Sequence, residues 1–356
     1  MKTRDLSEHR EYAPGKSTGE VAIEIGRDES EIINLSSNEN PLGPSLNVIK
    51  TLKEKSEGVN RYPKEASKDL INKIAQKWGI GESQVWLANG ADGAIDYISR
   101  AMIEPGDRVL VPNPGFAYYG MSSRFHHGGV EEYDIGKKEG FELSAENVFR
   151  GYKGQKIVYL TNPNNPTGGI FPTKEIEKII EGVGEDSLVV VDEAYGEYSG
   201  KRSSIELCKK YQNIAVIRTF SKAYGLAGCR IGYAIVPEEG SKEYSRVNTP
   251  FAAGELSCYA ASAALRDEKH LGKSIEMARW SREYMEKNLD MNVMKSYANF
   301  VLVEIGNATE SFEQLKNKGI IVRDCTSFGM PEYIRVTCGN QEQTEKVVKE
   351  INNLQE

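Results

Sequence analysis

Short aliphatic runs separated by helix-length amphipathic stretches constrain this chain more than any other feature. Gln84-Val85-Trp86-Leu87 is followed by a helical pattern over residues 94–102 and then by Arg108-Val109-Leu110-Val111. The alternation recurs at residues 156–160, 174–180 and 188–191, and two further runs, residues 213–218 and 231–236, flank a glycine-rich turn. Apolar runs of this length suit strands buried on both faces. Strands of that kind, joined by helix-sized connections, pair mostly in parallel, because a parallel crossover needs a connection of that length. The expected fold is therefore α/β: a mostly parallel sheet covered by helices, with ligand-binding groups emerging at strand ends. After about Val247 the pattern changes to long helical stretches through Leu289. Strand-like runs at 300–305, 320–323 and 333–337 and a last helix at 341–354 then predict a smaller α+β unit. The predicted division is a large α/β domain at 36–247 and a small α+β domain formed from 1–35, an N-terminal arm included, and 248–356.

With 356 residues, 39% of them hydrophobic and 27% charged, the chain can bury a large core, and its length favours two domains over one. Its aliphatic runs are strand-sized, and residues 1–12 lack the apolar centre of a signal peptide, so neither a membrane span nor a secretory leader is expected. The net charge of -7 is dispersed without a basic block, which argues against a nucleic-acid partner. Cys208, Cys229, Cys258, Cys325 and Cys338 form no CxxC pair; their dispersion suits a reducing cytoplasm and buried, apolar roles. His126 and His127 are adjacent and point differently on any regular element, so a shared metal site is not expected. Gly15-Lys16-Ser17 resembles the end of a phosphate loop, but the glycine required five residues earlier is Arg10, and nucleotide binding is rejected on that ground.

Chemistry concentrates in a few segments. Lys222 sits in Thr219-Phe220-Ser221-Lys222-Ala223-Tyr224-Gly225, just past a predicted strand, where a lysine can form a Schiff base while its neighbours hold an anion. Asp192 ends the apolar run Leu188-Val189-Val190-Val191, an expensive place for a carboxylate unless it meets a cation, and a protonated pyridine nitrogen is such a cation. In isolation the same Asp would read as the cap of the next turn. Tyr195, three residues on, could return to a ring hydroxyl or simply pack. Thr161-Asn162-Pro163-Asn164-Asn165-Pro166-Thr167-Gly168-Gly169 follows a strand and is forced into a defined loop by its prolines and glycines. Gly90-Ala91-Asp92-Gly93 opens a helix whose free N–H groups form an anion site, although Asp92 could be only its N-cap. Thr219, Ser221 and Arg230 add donors for one dianion, Arg230 in a bidentate manner. Together these residues point to pyridoxal 5'-phosphate (PLP).

On these segments the chain resembles the fold-type I aminotransferases, and more narrowly the histidinol-phosphate aminotransferase family, over nearly its whole length. The resemblance implies that Lys222 is the Schiff-base lysine and that Asp192 pairs with the pyridine nitrogen. It further implies that Tyr195 and Asn165 contact the ring hydroxyl and that Phe116, in Asn113-Pro114-Gly115-Phe116, stacks on the cofactor. Ala91, Asp92, Ser221 and Arg230, with Thr219 nearby, match the phosphate cup. Tyr62 of Arg61-Tyr62-Pro63 matches a tyrosine that reaches the neighbouring subunit's cofactor phosphate, which implies a homodimer. The narrower assignment rests on Tyr12-Ala13-Pro14-Gly15-Lys16, Asn38-Glu39-Asn40-Pro41, Val322-Arg323-Asp324 and Ile334-Arg335-Val336-Thr337. There Tyr12, Arg323 and Arg335 would surround a substrate phosphate, and Asn40 would lie near the reacting amine. Gly115 departs from the threonine or serine common in the family. The expected reaction exchanges an amino group between histidinol phosphate and 2-oxoglutarate, a step of histidine biosynthesis. Three alternatives stay open: an aromatic or broad-specificity aminotransferase, a threonine-phosphate decarboxylase, and a non-catalytic PLP-binding module.

Overall fold

In a computed structural model, Leu6, residues 15–136 and residues 140–355 are described. The strands are β1 (Ile33–Asn34), β2 (Val85–Ala88), β3 (Arg108–Asn113), β4 (Gly129–Asp134), β5 (Ile157–Thr161), β6 (Leu188–Asp192), β7 (Ile214–Thr219), β8 (Gly232–Ile235), β9 (Val293–Met294), β10 (Phe300–Glu304), β11 (Ile320–Ile321), β12 (Arg323–Asp324) and β13 (Tyr333–Thr337). Seven of them build one sheet in the order β2-β8-β7-β6-β5-β3-β4. The pairs from β4 through β7 are parallel, whereas β8 runs antiparallel to both β7 and β2. Residues of β2, β5, β6, β7 and β8 are buried throughout, which explains why these segments read as unbroken apolar runs rather than alternating ones.

Helices cover the sheet through narrow apolar faces. Helix Thr173–Val183 buries Ile176, Ile179, Ile180 and Val183, the spacing of one helical face, and ends at Gly184 with φ 72°, which a Cβ would disfavour. A second sheet, β12-β13-β10-β9, is antiparallel, and the face that carries Val301 and Val336 packs with helices Glu268–Asn288 and Gln341–Asn352, Ile351 of the latter included. The run expected as one strand at 320–323 is divided: β11 pairs in parallel with β1, while β12 pairs antiparallel with β13. Apolar patterning marks a buried strand but cannot say which neighbour it will find.

Behind the sheet's strand ends lies a buried ionic cluster. Arg218 of β7 donates to Glu193 and Glu197, each at 2.6 Å, and its guanidinium lies 5.1 Å from the Trp78 ring centre. Glu193 also receives Ser203 Oγ and the Ser204 N–H, both at 2.6 Å. Removing the arginine alone leaves two carboxylates in a dry site. Arg218→Met is expected to destabilise the protein by about 3–5 kcal/mol, read as a lower urea midpoint at unchanged slope.

Candidate active site

Loops at the carboxyl ends of the parallel strands enclose a cavity of about 1040 Å³. Every cofactor residue expected from the sequence lines it except Tyr62, and so do Arg323 and Arg335. The gathering follows from topology: β5, β6 and β7 are adjacent and parallel, so the loop of Asn165, the end of β6 at Asp192 and the turn of Lys222 open on one edge.

Asp192 is 4% exposed, with Oδ2 accepting the Tyr119 hydroxyl at 2.7 Å and Oδ1 accepting the Ala194 N–H at 2.9 Å. One oxygen thus caps the following turn, while the carboxyl group as a whole borders the cavity. Burial pushes its pKa up to about 6 despite both hydrogen bonds, which marks a carboxylate short of stabilisation by the protein alone. Tyr119 is itself fully enclosed, stacked on Tyr159 with ring centres 4.6 Å apart and linked to Thr161 Oγ1 at 3.0 Å.

Lys222 Nζ donates to the Ser37 carbonyl at 2.9 Å. Burial, and next the positive charge of Arg335, lower its pKa to about 8. A neutral amine is therefore accessible near physiological pH, which a solvated lysine does not offer.

The floor beside it is a ring of donors. Thr219 Oγ1 meets Ser221 Oγ at 3.0 Å and accepts the Ser221 N–H at 3.1 Å. Arg230 Nη1 reaches Ser221 Oγ at 3.4 Å and its Nη2 pairs with Asp92 at 2.9 Å. The helix Gly90–Met102 begins here with Asn89 as N-cap, so Asp92 lies in the first turn and its reading as the cap is overturned. A Cβ on Gly90, whose φ is 76°, would stand 2.7 Å from Arg230 Nη2; glycine lets helix start and arginine approach.

Also lining the cavity, Arg335, 5% exposed, donates to Asn165 Oδ1 and to the Ser36 carbonyl, and its guanidinium lies 5.3 Å from the Phe300 ring centre. Arg323 Nη2 reaches Ser327 Oγ at 3.0 Å and lies against Phe328. Two cations on one wall suit an anionic ligand.

A family model described as aminotransferase class I and II matches residues 30–351. The histidinol-phosphate aminotransferase of Haloferax volcanii is 52% identical over 354 residues, covering 99% of this chain and 98% of that protein. That of Methanosarcina mazei is 42% identical over 97% of this chain and 94% of its own length. The chain belongs to the histidinol-phosphate aminotransferase family. Its fold is shared with the histidinol-phosphate aminotransferase of Sinorhizobium meliloti crystallised with pyridoxal-5'-phosphate, at TM-score 0.85, 23% identity and coverage of 99% and 97% of the two chains. A Thermus thermophilus aspartate aminotransferase variant gives TM-score 0.86 at 22% identity, covering 99% of this chain and all of its own. The chain is an aminotransferase of fold type I.

Of the expected site residues of this aminotransferase, Tyr12 falls outside the described residues, and two others, Asn40 and Tyr62, do not line the cavity. Asn40 is buried but turned aside: its Nδ2 donates to the Ala223 carbonyl at 3.0 Å and to Ser274 Oγ at 2.8 Å, so it braces the Lys222 turn from behind rather than facing an amine. Tyr62 is 75% exposed and stacks on Phe251 at 4.2 Å, away from this chain's own cavity. Sequence reasoning missed Tyr119, Ser36 and Ser37, and gave Asn38, though part of a quoted motif, no role of its own. Tyr119 lies three residues beyond Phe116, a helical spacing that could have flagged it; nothing local announces that residues 36–38 touch Arg335, Lys222 and Tyr195. Among the described residues no three His, Cys, Asp or Glu side chains are grouped to hold a metal, and no helix is long and apolar enough to cross a membrane.

Proposed function

We propose that this aminotransferase exchanges an amino group between histidinol phosphate and 2-oxoglutarate, using PLP held in the cavity. The observation that carries the reading is the convergence in one cavity of a buried carboxylate, a lysine of depressed pKa and a helix N-terminus backed by Arg230. The donor set suits the cofactor. A buried carboxylate raised to about 6 calls for a cationic partner such as a protonated ring nitrogen, and the N–H groups of Ala91 and Asp92 with Thr219, Ser221 and Arg230 suit a phosphate dianion.

PLP, when bound, supplies an electron-accepting ring and a carbonyl carbon on which an amino group can be exchanged. The remaining work falls to side chains. Asp192 would keep a proton on the ring nitrogen, and Phe116 would present its face to the ring. Asn165 and Tyr195 would hold the ring hydroxyl. Lys222 would anchor the cofactor and then, released, take and return a proton at Nζ. Arg323 and Arg335, joined in this reading by Tyr12, would bind the substrate phosphate, and Arg335 would also serve the carboxylate of the keto acid. Tyr62, exposed here, belongs in this reading to the neighbouring subunit's site, making the working unit a homodimer. A cytoplasmic location and a two-domain division at 36–247, against 1–35 with 248–356, complete the proposal.

The buried Arg335, in contact with Asn165, would suit an α-carboxylate equally well, which favours a broad-specificity aminotransferase as the second reading. A spectral titration of the PLP-loaded protein separates the two. L-histidinol phosphate is expected to convert the bound cofactor fully to its amino form, 2-oxoglutarate to restore it, and phenylalanine at equal concentration to convert little. Preference for phenylalanine would select the second reading; release of carbon dioxide from threonine phosphate would overturn both.

A further inference from the structure

Asn38 occupies a position that neither the mechanism above nor the sequence motif explains. It is 1% exposed, and its φ of 54° lies in the left-handed region that asparagine tolerates better than most residues. All its polar groups are engaged. Its N–H donates to Thr337 Oγ1 at 3.0 Å, and that hydroxyl donates back to Asn38 Oδ1 at 3.1 Å. Its carbonyl accepts from Asn299 Nδ2 at 3.0 Å. With Oδ1 held by Thr337, the amide nitrogen has one direction left, and it donates to the Tyr195 hydroxyl at 3.0 Å. The Tyr195 ring is fixed in turn, edge-to-face on Phe300 at 5.1 Å.

Polarity decides what this does. A phenol that accepts an N–H on one lone pair has its own O–H directed elsewhere, so it faces other groups as a donor. Ser37 and Ser36, the neighbours of Asn38, accept from Lys222 and Arg335, so one short segment sets the hydrogen bonding of three cavity residues. We propose that Asn38 is a positioning residue: its amide, oriented by Thr337, holds the Tyr195 hydroxyl as a donor toward the cofactor oxygen and thereby sets the proton affinity of the lysine–cofactor linkage. This rests on the reading that Tyr195 faces the ring hydroxyl. A donor there stabilises the ionised oxygen most when the linkage nitrogen carries no proton, so weakening it raises the linkage pKa. Asparagine meets both demands of the site, a left-handed backbone and a neutral donor at the end of a short side chain.

The test is the absorbance titration with pH of the full-length, PLP-loaded protein, with PLP affinity measured alongside. Asn38→Gly removes the amide, adds no charge and keeps the backbone conformation; it is expected to raise the titration midpoint by about one pH unit, a tenfold change in proton affinity. Thr337→Val, which frees the amide to turn while preserving shape, is expected to move the midpoint the same way by less. Tyr195→Phe should raise it at least as far, and adding Asn38→Gly to that variant should raise it no further. An unmoved midpoint in Asn38→Gly beside a raised one in Tyr195→Phe would leave Asn38 only a structural part and overturn the proposal, as would additive shifts. If Tyr195→Phe itself moves nothing, the placement of Tyr195 against the cofactor is wrong and the proposal falls with it.

Discussion

Lys222→Ala is expected to lower turnover of histidinol phosphate with 2-oxoglutarate on the order of 10⁴-fold or more, because one side chain supplies both the covalent anchor and the proton-transferring group. The variant should also lose the borohydride-reducible bond to its cofactor. Multiple turnovers with that bond intact would place the chemistry on another lysine. The cavity makes the amine fit for the role before any cofactor arrives. Burial and the charge of Arg335 bring its pKa down to about 8 from an ordinary 10.5. The sign of the associated stability effect follows. Between about 8 and 10.5 the unfolded chain holds the proton that the folded chain has released, so this group makes the cofactor-free protein more stable as pH rises through that window and penalises it below. Urea unfolding of the cofactor-free protein at pH 7.5 and 9.5 should show this rise, and Lys222→Ala should lack it.

Asp192→Asn is expected to do two opposite things. Turnover should fall on the order of 10³-fold, since a neutral amide cannot hold the ring nitrogen's proton, an electrostatic contribution of the kind that fixed dipoles and charges make in dry sites. The cofactor-free protein should become more stable at neutral pH. The folded carboxyl has a pKa of about 6 against an ordinary 3.8, so its contribution is fully present below 3.8 and is lost as pH rises through about 6. That difference in proton affinity is worth about 3 kcal/mol, the upper bound on what neutralising this position returns above pH 6. Asparagine can keep the local bonds: Oδ1 accepts the Ala194 N–H, and Nδ2 donates to Tyr119, whose hydroxyl then donates to Thr161. Chemical unfolding at pH 7.5 without PLP should show the variant ahead of wild type, and saturating PLP should reverse the order, because wild type alone gains the ring ion pair. A variant equally active, or less stable without cofactor, would remove Asp192 from the role proposed.

Both predictions concern residues whose importance was readable from their immediate neighbours. Asp192 stands out because a charge ends five residues of buried strand, and Lys222 because a lysine follows a strand amid small hydroxylated residues. The expected strands at 84–87, 108–111, 156–160 and 188–191 appear within a residue or two of their places as β2, β3, β5 and β6. Strand β4 was not read, since Gly129-Val130-Glu131-Glu132-Tyr133-Asp134 lies at the sheet edge with most of its side chains open and gives no apolar run. Helix Leu46–Lys55, with only Val48 buried, escaped for the same reason.

Features decided within about one strand or helix are legible in the residues alone: the buried runs, the loops forced by proline and glycine, the helix opened by Gly90-Ala91-Asp92-Gly93, and the residue types at strand ends. Their patterns arise from near neighbours, so a local window contains the cause. Which distant residues share a wall is settled by long-range packing. Arg335 meets Asn165 across 170 residues and Ser36 across 299, and Lys222 meets Ser37 across 185. Asn40 shows the same point in reverse, its motif pointing to the cavity while its amide is held behind the Lys222 turn by Ala223 and Ser274. Such contacts depend on strand order and on how the second sheet packs against the first, and no spacing along the chain encodes them.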